Sequence, residues 1–417
     1  MKAVFEPKGS TVYHSWLMVA ACFTLTLTLG ETFWTFGIFF KPLEHEFGWN
    51  RAVISSIFTA FLLGYAVSAI ASGKLADRYR PRPILLISAL LIGVGLCLCS
   101  LASNIHHFHL FLFTVGLGSG ATWSVPNATV QRWFYGKKNA GLALGIVVSG
   151  VGVGAMVFAP LINYWISTSG WRNTFLIIGV LFFSIMVTAS LVIRPSPPDT
   201  MGKVHDDHPE AVPNDVALRA PKRLLLTWAF AAMAFMVSAG VFAFQIISAH
   251  IVPHATDVGI SPSASAAALG LMGGFSVPGR IASGLLASRW GWRKLLSIAF
   301  FGMGASIVWL LILKDVRMLY AFVFFYGVFH GIRISGQVGV LAEIFGVRSL
   351  GELIGVSSAL AMAVGAFAPY IAGVVFDTKG TYAPVFLIVI VLLVAAGLVA
   401  AMLKRVPNRD IPGPFKR

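Results

Sequence analysis

Gly73-Lys-Leu-Ala-Asp-Arg78 and Gly284-Leu-Leu-Ala-Ser-Arg289 are two versions of one phrase, set 211 residues apart in a chain of 417. At the same offset Gly116 and Gly120 line up with Gly327 and Gly331. With two residues lost in between, Phe158-Ala-Pro160 matches Phe367-Ala-Pro369. The chain therefore reads as two similar halves. Each phrase closes a long apolar stretch, so the halves are bundles of such stretches. Parallel repeats of this kind about an axis along a membrane normal put a substrate site between the halves, near the midplane. Rocking one half on the other then gives alternating access.

Working outward, composition fixes the class. The chain is 57% hydrophobic and 11% charged, with a mean hydropathy of +0.82, whereas soluble domains carry about 25% charged residues. Stretches of about 20 apolar residues cross a bilayer. The sequence predicts twelve: Ser15–Phe40, Ala52–Lys74, Pro83–Ala102, His106–Gln131, Asn139–Ile166, Asn173–Ile193, Leu224–Ile251, Ser263–Ser288, Lys294–Leu313, Met318–Glu343, Leu350–Phe376 and Tyr382–Leu403. The first is too long for a leader's apolar core and reads as a true span. Only 194–223 is a long polar, proline-rich connection, a flexible linker between spans six and seven. The expected fold is an all-α membrane protein of twelve transmembrane helices in two pseudo-symmetric six-helix bundles, 1–194 and 224–417, joined by a cytoplasmic linker, 195–223.

The net charge of +15 is mainly a topology signal. With both termini in the cytoplasm, only Lys41, Arg51, Arg172, Lys314, Arg317 and Lys379 fall outside, and Arg280 and Arg333 lie within spans. That bias is the positive-inside rule, which argues against a nucleic-acid surface. Cys22, Cys97 and Cys99 all sit in apolar segments and read as buried hydrophobes rather than a disulfide frame or a metal site. The chain carries no phosphate-binding loop, dinucleotide fingerprint or metal-ligand spacing. It also lacks a segment long enough for a nucleotide-driven motor domain. Enzyme chemistry, cofactors and metals are not expected.

Arg280 is the residue that points to function. A charge at the centre of a bilayer helix costs roughly 2.5–3.5 kcal/mol on insertion scales and marks a functional site by default. Ser276 and Gly284 occupy the positions one turn away, so no acid on its own helix offsets it. Arg280 is therefore a candidate anion site, and permanent pairing with a buried acid is the alternative. Arg333, in span ten, is a second intramembrane cation that either contacts substrate or snorkels and pairs with Glu343 or Glu352. Tyr65, Asn127, Gln245 and Tyr326 are polar groups able to bond a small oxyanion or to satisfy a neighbouring helix. Candidates for a proton site are His250, Asp257, Glu31 and His330; histidine titrates in the useful range.

Gly73 to Arg82 resembles the signature loop of the major facilitator superfamily, and Gly284 to Lys294 is its degenerate second copy. The resemblance spans the whole chain. It implies that Asp77, Arg78 and Arg289 act in gating, clamping the outward-facing state. A narrower resemblance begins at Trp133-Phe134. With Lys137-Lys138 and Leu142-Ala143-x-Gly145-Ile146-Val147-x-Ser149-Gly150-x-x-x-Gly154, the segment is similar to the loop-and-helix signature of monocarboxylate transporters, with two extra residues before Leu142. That family keeps an arginine in span eight, which Arg280 matches; its guanidinium can grip a carboxylate through two parallel hydrogen bonds. Two family positions differ. Ser276 stands where the animal proteins carry an aspartate, and Trp34 where they carry a lysine.

The resemblance implies a multi-pass, bacterial inner-membrane transporter, working as a monomer, that moves a small monocarboxylate such as L-lactate or pyruvate together with a proton. An oxalate–formate type exchanger is the alternative. That group pairs the arginine with a lysine in span eleven, where this chain has no lysine and carries Glu352. A carboxylate sensor that moves nothing is the remaining class.

Overall fold

The computed structural model describes residues 8–78, 80–134, 139–194, 226–345 and 350–403, and every regular element among them is an α-helix. In chain order these are α1 (Lys8–Trp34), α2 (Phe36–Phe47), α3 (Arg51–Arg78), α4 (Pro81–Cys99), α5 (Ile105–Ser119), α6 (Ala121–Trp133) and α7 (Ala140–Val192). They continue as α8 (Trp228–Asp257), α9 (Pro262–Trp290), α10 (Trp292–Leu311), α11 (Val316–Phe345), α12 (Leu350–Gly365), α13 (Ala368–Lys379) and α14 (Ala383–Met402). Helix starts follow local chemistry. Asn104, Thr227 and Ser261 each accept a backbone N–H from their own first turn with the side chain, which satisfies a donor that the helix leaves open. Pro81 and Pro262 occupy opening positions, where a missing N–H costs nothing.

Among the described residues, ten helices are long and apolar enough to span a membrane. Helix α7 counts once among them although Gly170, at φ 78° and ψ 163°, divides it into spans five and six. A side chain would be strained at that φ. Helix α9 has a span's length, but serines, glycines and Arg280 dilute its apolar character. Dividing α7 and adding α9 gives the twelve transmembrane helices of the expected fold.

Two expected spans, one and eleven, are interrupted. Span one splits at Thr35, where Ile38 N donates to Thr35 O at 2.9 Å in a tight turn. Span four runs from α5 into α6 through Gly120, whose backbone stays helical. Span eleven stops at Gly365 and restarts at Ala368, with Pro369 in the new first turn; proline is tolerated there and not in a helix interior. Span seven, by contrast, runs on past Ile251, so Asp257 ends a helix instead of opening a loop.

Contacts divide the chain into two compact units. One comprises Met1–Trp34 and Ala60–Ala211, the other Thr35–Thr59 and Val212–Arg417. The division falls inside α3. In the first unit α1 lies along α7, with Gly30 against Val151 O and Gly154 against Leu27 O, too close for any side chain at either glycine. Thr26 Oγ1 donates across this contact to Val147 O at 2.6 Å. Small residues and interhelical hydrogen bonds are the usual glue between membrane helices, because lipid provides no hydrophobic drive. The second unit uses the same device where α9 meets α11. Gly279 rests on Val328 O, and Gly331 on Ser276 O.

The repeat is visible in this packing. Gly116 rests on Phe61 O in the first unit and Gly327 on Met272 O in the second. Both members of the pair shift by the same 211 positions that align the sequence.

Candidate functional site

Helices α9 and α11 carry the intramembrane cations. Gly331 lets their backbones close up, with Ser276 O and Arg280 N as its neighbours. Arg280 is half-buried on α9. Arg333, one turn along α11 from His330, is buried. Its Nη1 donates to Gln337 Oε1 at 2.9 Å, its Nε has no hydrogen-bond partner among the described residues, and Gly240 of α8 leaves room for its guanidinium. Arg333 bears electrostatically on Arg280, and both bear on His330. The His330 ring stacks on Phe244 at 4.6 Å and faces Tyr326 at 6.1 Å. Tyr326 is fully buried and its hydroxyl is unbonded among the described residues.

Arg333 does not pair with Glu343 as one sequence reading allowed. Glu343 instead meets Arg293 at 3.1 Å. Ten residues separate 333 from 343, about 15 Å of helix, whereas Gln337 is one turn away. The Glu352 side chain lies outside the described residues.

Gln245, on α8 beside Phe244, is fully buried, and neither of its amide atoms is bonded among the described residues. A buried amide without partners carries a desolvation cost of about 1–3 kcal/mol, which makes it a ready contact for a polar ligand. In the first unit Asn127 Nδ2 donates to Trp123 O at 2.7 Å, leaving Oδ1 unbonded. Tyr65 is buried with its ring edge-on to Phe33 at 4.8 Å. Glu31 is buried and accepts from Thr32 Oγ1 at 3.1 Å.

His250 and Asp257 belong to a different cluster, also within the second unit. Asp257 holds Lys41 Nζ at 2.7 Å and Arg51 Nη2 at 2.6 Å, and Glu44 meets Lys41 at 2.9 Å. The Arg51 guanidinium, 4% exposed, lies 3.7 Å from the centre of the Phe376 ring and donates from Nη1 to the Tyr382 hydroxyl at 2.7 Å. That hydroxyl is 2.9 Å from His250 Nδ1, and His250 Nε2 is 2.9 Å from Pro369 O. The directions follow from the partners. Pro369 O can only accept, so Nε2 carries hydrogen; Nδ1 accepts from Tyr382, whose oxygen accepts from Arg51. Ser55 Oγ adds a longer contact to Nε2 at 3.3 Å.

Sequence reasoning missed Arg51, Tyr382 and Asp377 as partners in this cluster. The available signal was that Arg51 sits on the face the charge bias leaves poor in cations, where a cation needs a local anion. Of the gating candidates, Arg289 is exposed in the last turn of α9. Asp77 and Arg78 end α3, but their side chains lie outside the described residues, as do Lys137, Lys138 and the 195–223 linker.

Comparison with known proteins adds the family context. A family model described as Major Facilitator Superfamily matches two overlapping stretches, 21–313 and 241–417. Monocarboxylate transporter 12 of Rattus norvegicus is 25% identical over 95% of this chain and 87% of its own length. Monocarboxylate transporter 4 of Mus musculus is 26% identical over 89% and 79%. Among solved structures, a bacterial homologue of the human lysosomal transporter Spinster, in an inward-facing and occupied conformation, superposes with a TM-score of 0.73. It is 17% identical and covers 97% of this chain and 99% of its own.

Proposed function

The chain belongs to the Major Facilitator Superfamily, and from that premise we propose that it moves a small monocarboxylate, L-lactate, pyruvate or a similar acid, with a proton by alternating access. It is a multi-pass membrane transporter and not an enzyme. The observation that supports the finer reading is the close approach of α9 and α11 at Gly331, which sets Arg280 of one membrane helix beside the helix that carries the buried Arg333. An anion entering there neutralises charge held in a poor dielectric, which lowers the cost of closing apolar walls around it. Arg280 takes the carboxylate through its planar fork. Arg333, Tyr326, Gln245, Asn127 and Tyr65 supply further polar contacts.

The relatives named as monocarboxylate transporters favour this substrate class. Proton coupling draws on His250, Asp257, Glu31 and His330, of which His250 has the hydrogen-bonded neighbours to pass a proton. Asp77, Arg78 and Arg289 serve as gate residues. The working arrangement is a monomer of two bundles, 1–194 and 224–417, in a bacterial inner membrane, with both termini cytoplasmic. The Lys41–Arg51 end then faces outward.

One proton with one monovalent anion carries no net charge, so a pH gradient drives uptake and voltage does not. One pH unit is worth about 1.4 kcal/mol, enough for roughly tenfold accumulation. The test is labelled L-lactate uptake into empty proteoliposomes, acid outside, with potassium and valinomycin setting the voltage. Accumulation that follows voltage would refute symport.

A second reading, oxalate–formate type exchange, has one observation behind it: two arginines in mutual range suit a dianion. Uptake that appears only after preloading with a second acid would favour it.

A further inference from the structure

By sequence, Thr35–Thr59 belongs with the first six spans, yet it packs inside the second unit. Close approach at two glycines shapes this contact: Gly37 lies against Ser248 O and Ala249 O, and Gly373 against Arg51 O and Ala52 Cα. Ions fasten it. Asp377, on α13, accepts the first two N–H groups of α3, from Arg51 at 3.0 Å and Ala52 at 2.8 Å. The Arg51 side chain reaches three further elements at once: Asp257 ending α8, Phe376 in α13 and Tyr382 at the start of α14.

We propose that Arg51 is a latch that holds Thr35–Thr59 in the second unit, and that its release opens this end of the transporter. The proposal rests on the alternating-access reading above but on no particular substrate. Arg51 is a positioning residue in this account and makes no contact with the transported acid.

The chemistry suits a reversible closure. Lys41 and Arg51 are packed against Glu44 and Asp257, two cations against two anions, while the Asp377 carboxylate is held by backbone N–H groups. When the end opens, each regains water, and the hydration recovered offsets most of the attraction lost. A purely apolar closure of the same size has no such compensation. The two states are therefore close in free energy, as a switching element requires. The Arg51 fork also makes the closure selective in geometry. It must satisfy Asp257 and Tyr382 in one plane while lying over the Phe376 ring, which an ammonium group cannot do.

The test uses the full-length chain in proteoliposomes and a membrane-impermeant maleimide. Ser55 is buried beneath the latch, so S55C reports opening at nearly unchanged volume. Native Cys22 and Cys99 are buried in the first unit and report unfolding, resolved peptide by peptide. R51Q in the S55C background raises labelling at position 55 by roughly tenfold, with Cys22 and Cys99 unchanged. R51K gives an intermediate rise, because it keeps the charge and loses the fork. D377N, which removes one of two acceptors, gives a smaller rise in the same direction. Unchanged labelling at 55 in R51Q overturns the latch, and so does a rise matched at Cys22 and Cys99, which signals unfolding instead. The readout needs no substrate. A rise at 55 in a protein that fails to take up L-lactate leaves the latch standing and removes the substrate reading.

Discussion

Two charged clusters lie within the second unit, and they are built on opposite plans. Around Arg51 cations meet anions: Asp257 takes Lys41 and Arg51, Glu44 takes Lys41, and the Asp377 carboxylate is held by backbone N–H groups. Around Arg333 two cations, Arg333 and Arg280, stand on neighbouring helices. Arg333 bears on Arg280, and its Nη1 donates to the neutral Gln337. The first arrangement is complete as it stands and holds elements together. In the proposed function the second receives an anion from solution. In a membrane protein the sign balance of a buried cluster thus separates a fastening from a receptacle, which a bare count of intramembrane charges does not.

Breaking the receptacle at its strongest point gives the largest effect. Arg280→Lys keeps the charge and loses the planar fork, so uptake falls by roughly a hundredfold while the protein stays folded, a loss typical of removing a bidentate carboxylate contact. Initial rates in proteoliposomes measure it. Near-normal transport by this variant at normal affinity would mean that diffuse positive charge suffices, and the comparison would lose its meaning at that residue.

Asp257→Asn attacks the fastening. It strips Lys41 and Arg51 of their shared carboxylate while leaving Glu44 in place. Breaking one partner of a buried ion pair costs about 3–5 kcal/mol, but the Asp257 side chain is 27% exposed, so solvent screens part of the loss. The expected outcome is a fall of a few degrees in melting temperature and a several-fold slower uptake, with substrate affinity on purified protein nearly unchanged. A large affinity loss would move Asp257 into the binding machinery.

The smallest effect sharpens the contrast. Arg333→Gln lowers the positive field without touching Arg280, and monocarboxylate affinity weakens by roughly threefold to tenfold. Competition by a dicarboxylate is the discriminating measurement. If the variant loses dicarboxylate binding far more than monocarboxylate binding, the dianion reading gains; equal losses favour the single carboxylate.

Much of the architecture was legible in the chain. Hydropathy gave the spans, and the 211-residue offset showed the internal repeat, because both are local or periodic signals; that Thr35–Thr59 packs with the second unit left no such trace. Arg280 stands out as a candidate for the same reason as the spans: one charge in an apolar run. The break at Thr35 was not legible, since no proline or glycine marks that position and a tight turn costs little where neighbouring helices cover it. Nor was the nearness of Arg333 to Arg280. They lie 53 positions apart on different helices, and only the glycine contacts that draw α9 onto α11 bring them together. Arg51 looked like a loop cation because its partners, Asp257, Phe376 and Tyr382, come from segments more than two hundred residues away. Long-range pairing leaves no periodic trace.

The row of hydrogen bonds from Arg51 through Tyr382 and His250 to Pro369 has a direction, and direction imposes an order of events. Both nitrogens of His250 are occupied in this arrangement: Nδ1 by the Tyr382 hydrogen, Nε2 by its own hydrogen aimed at Pro369. A newcomer can enter at Nδ1 only after Tyr382 swings its hydroxyl away, and Tyr382 is tethered to Arg51. The row is a turnstile. Under the proposed coupling through His250, a proton therefore loads only after Arg51 has let go, and the orientation of one phenol sets that order.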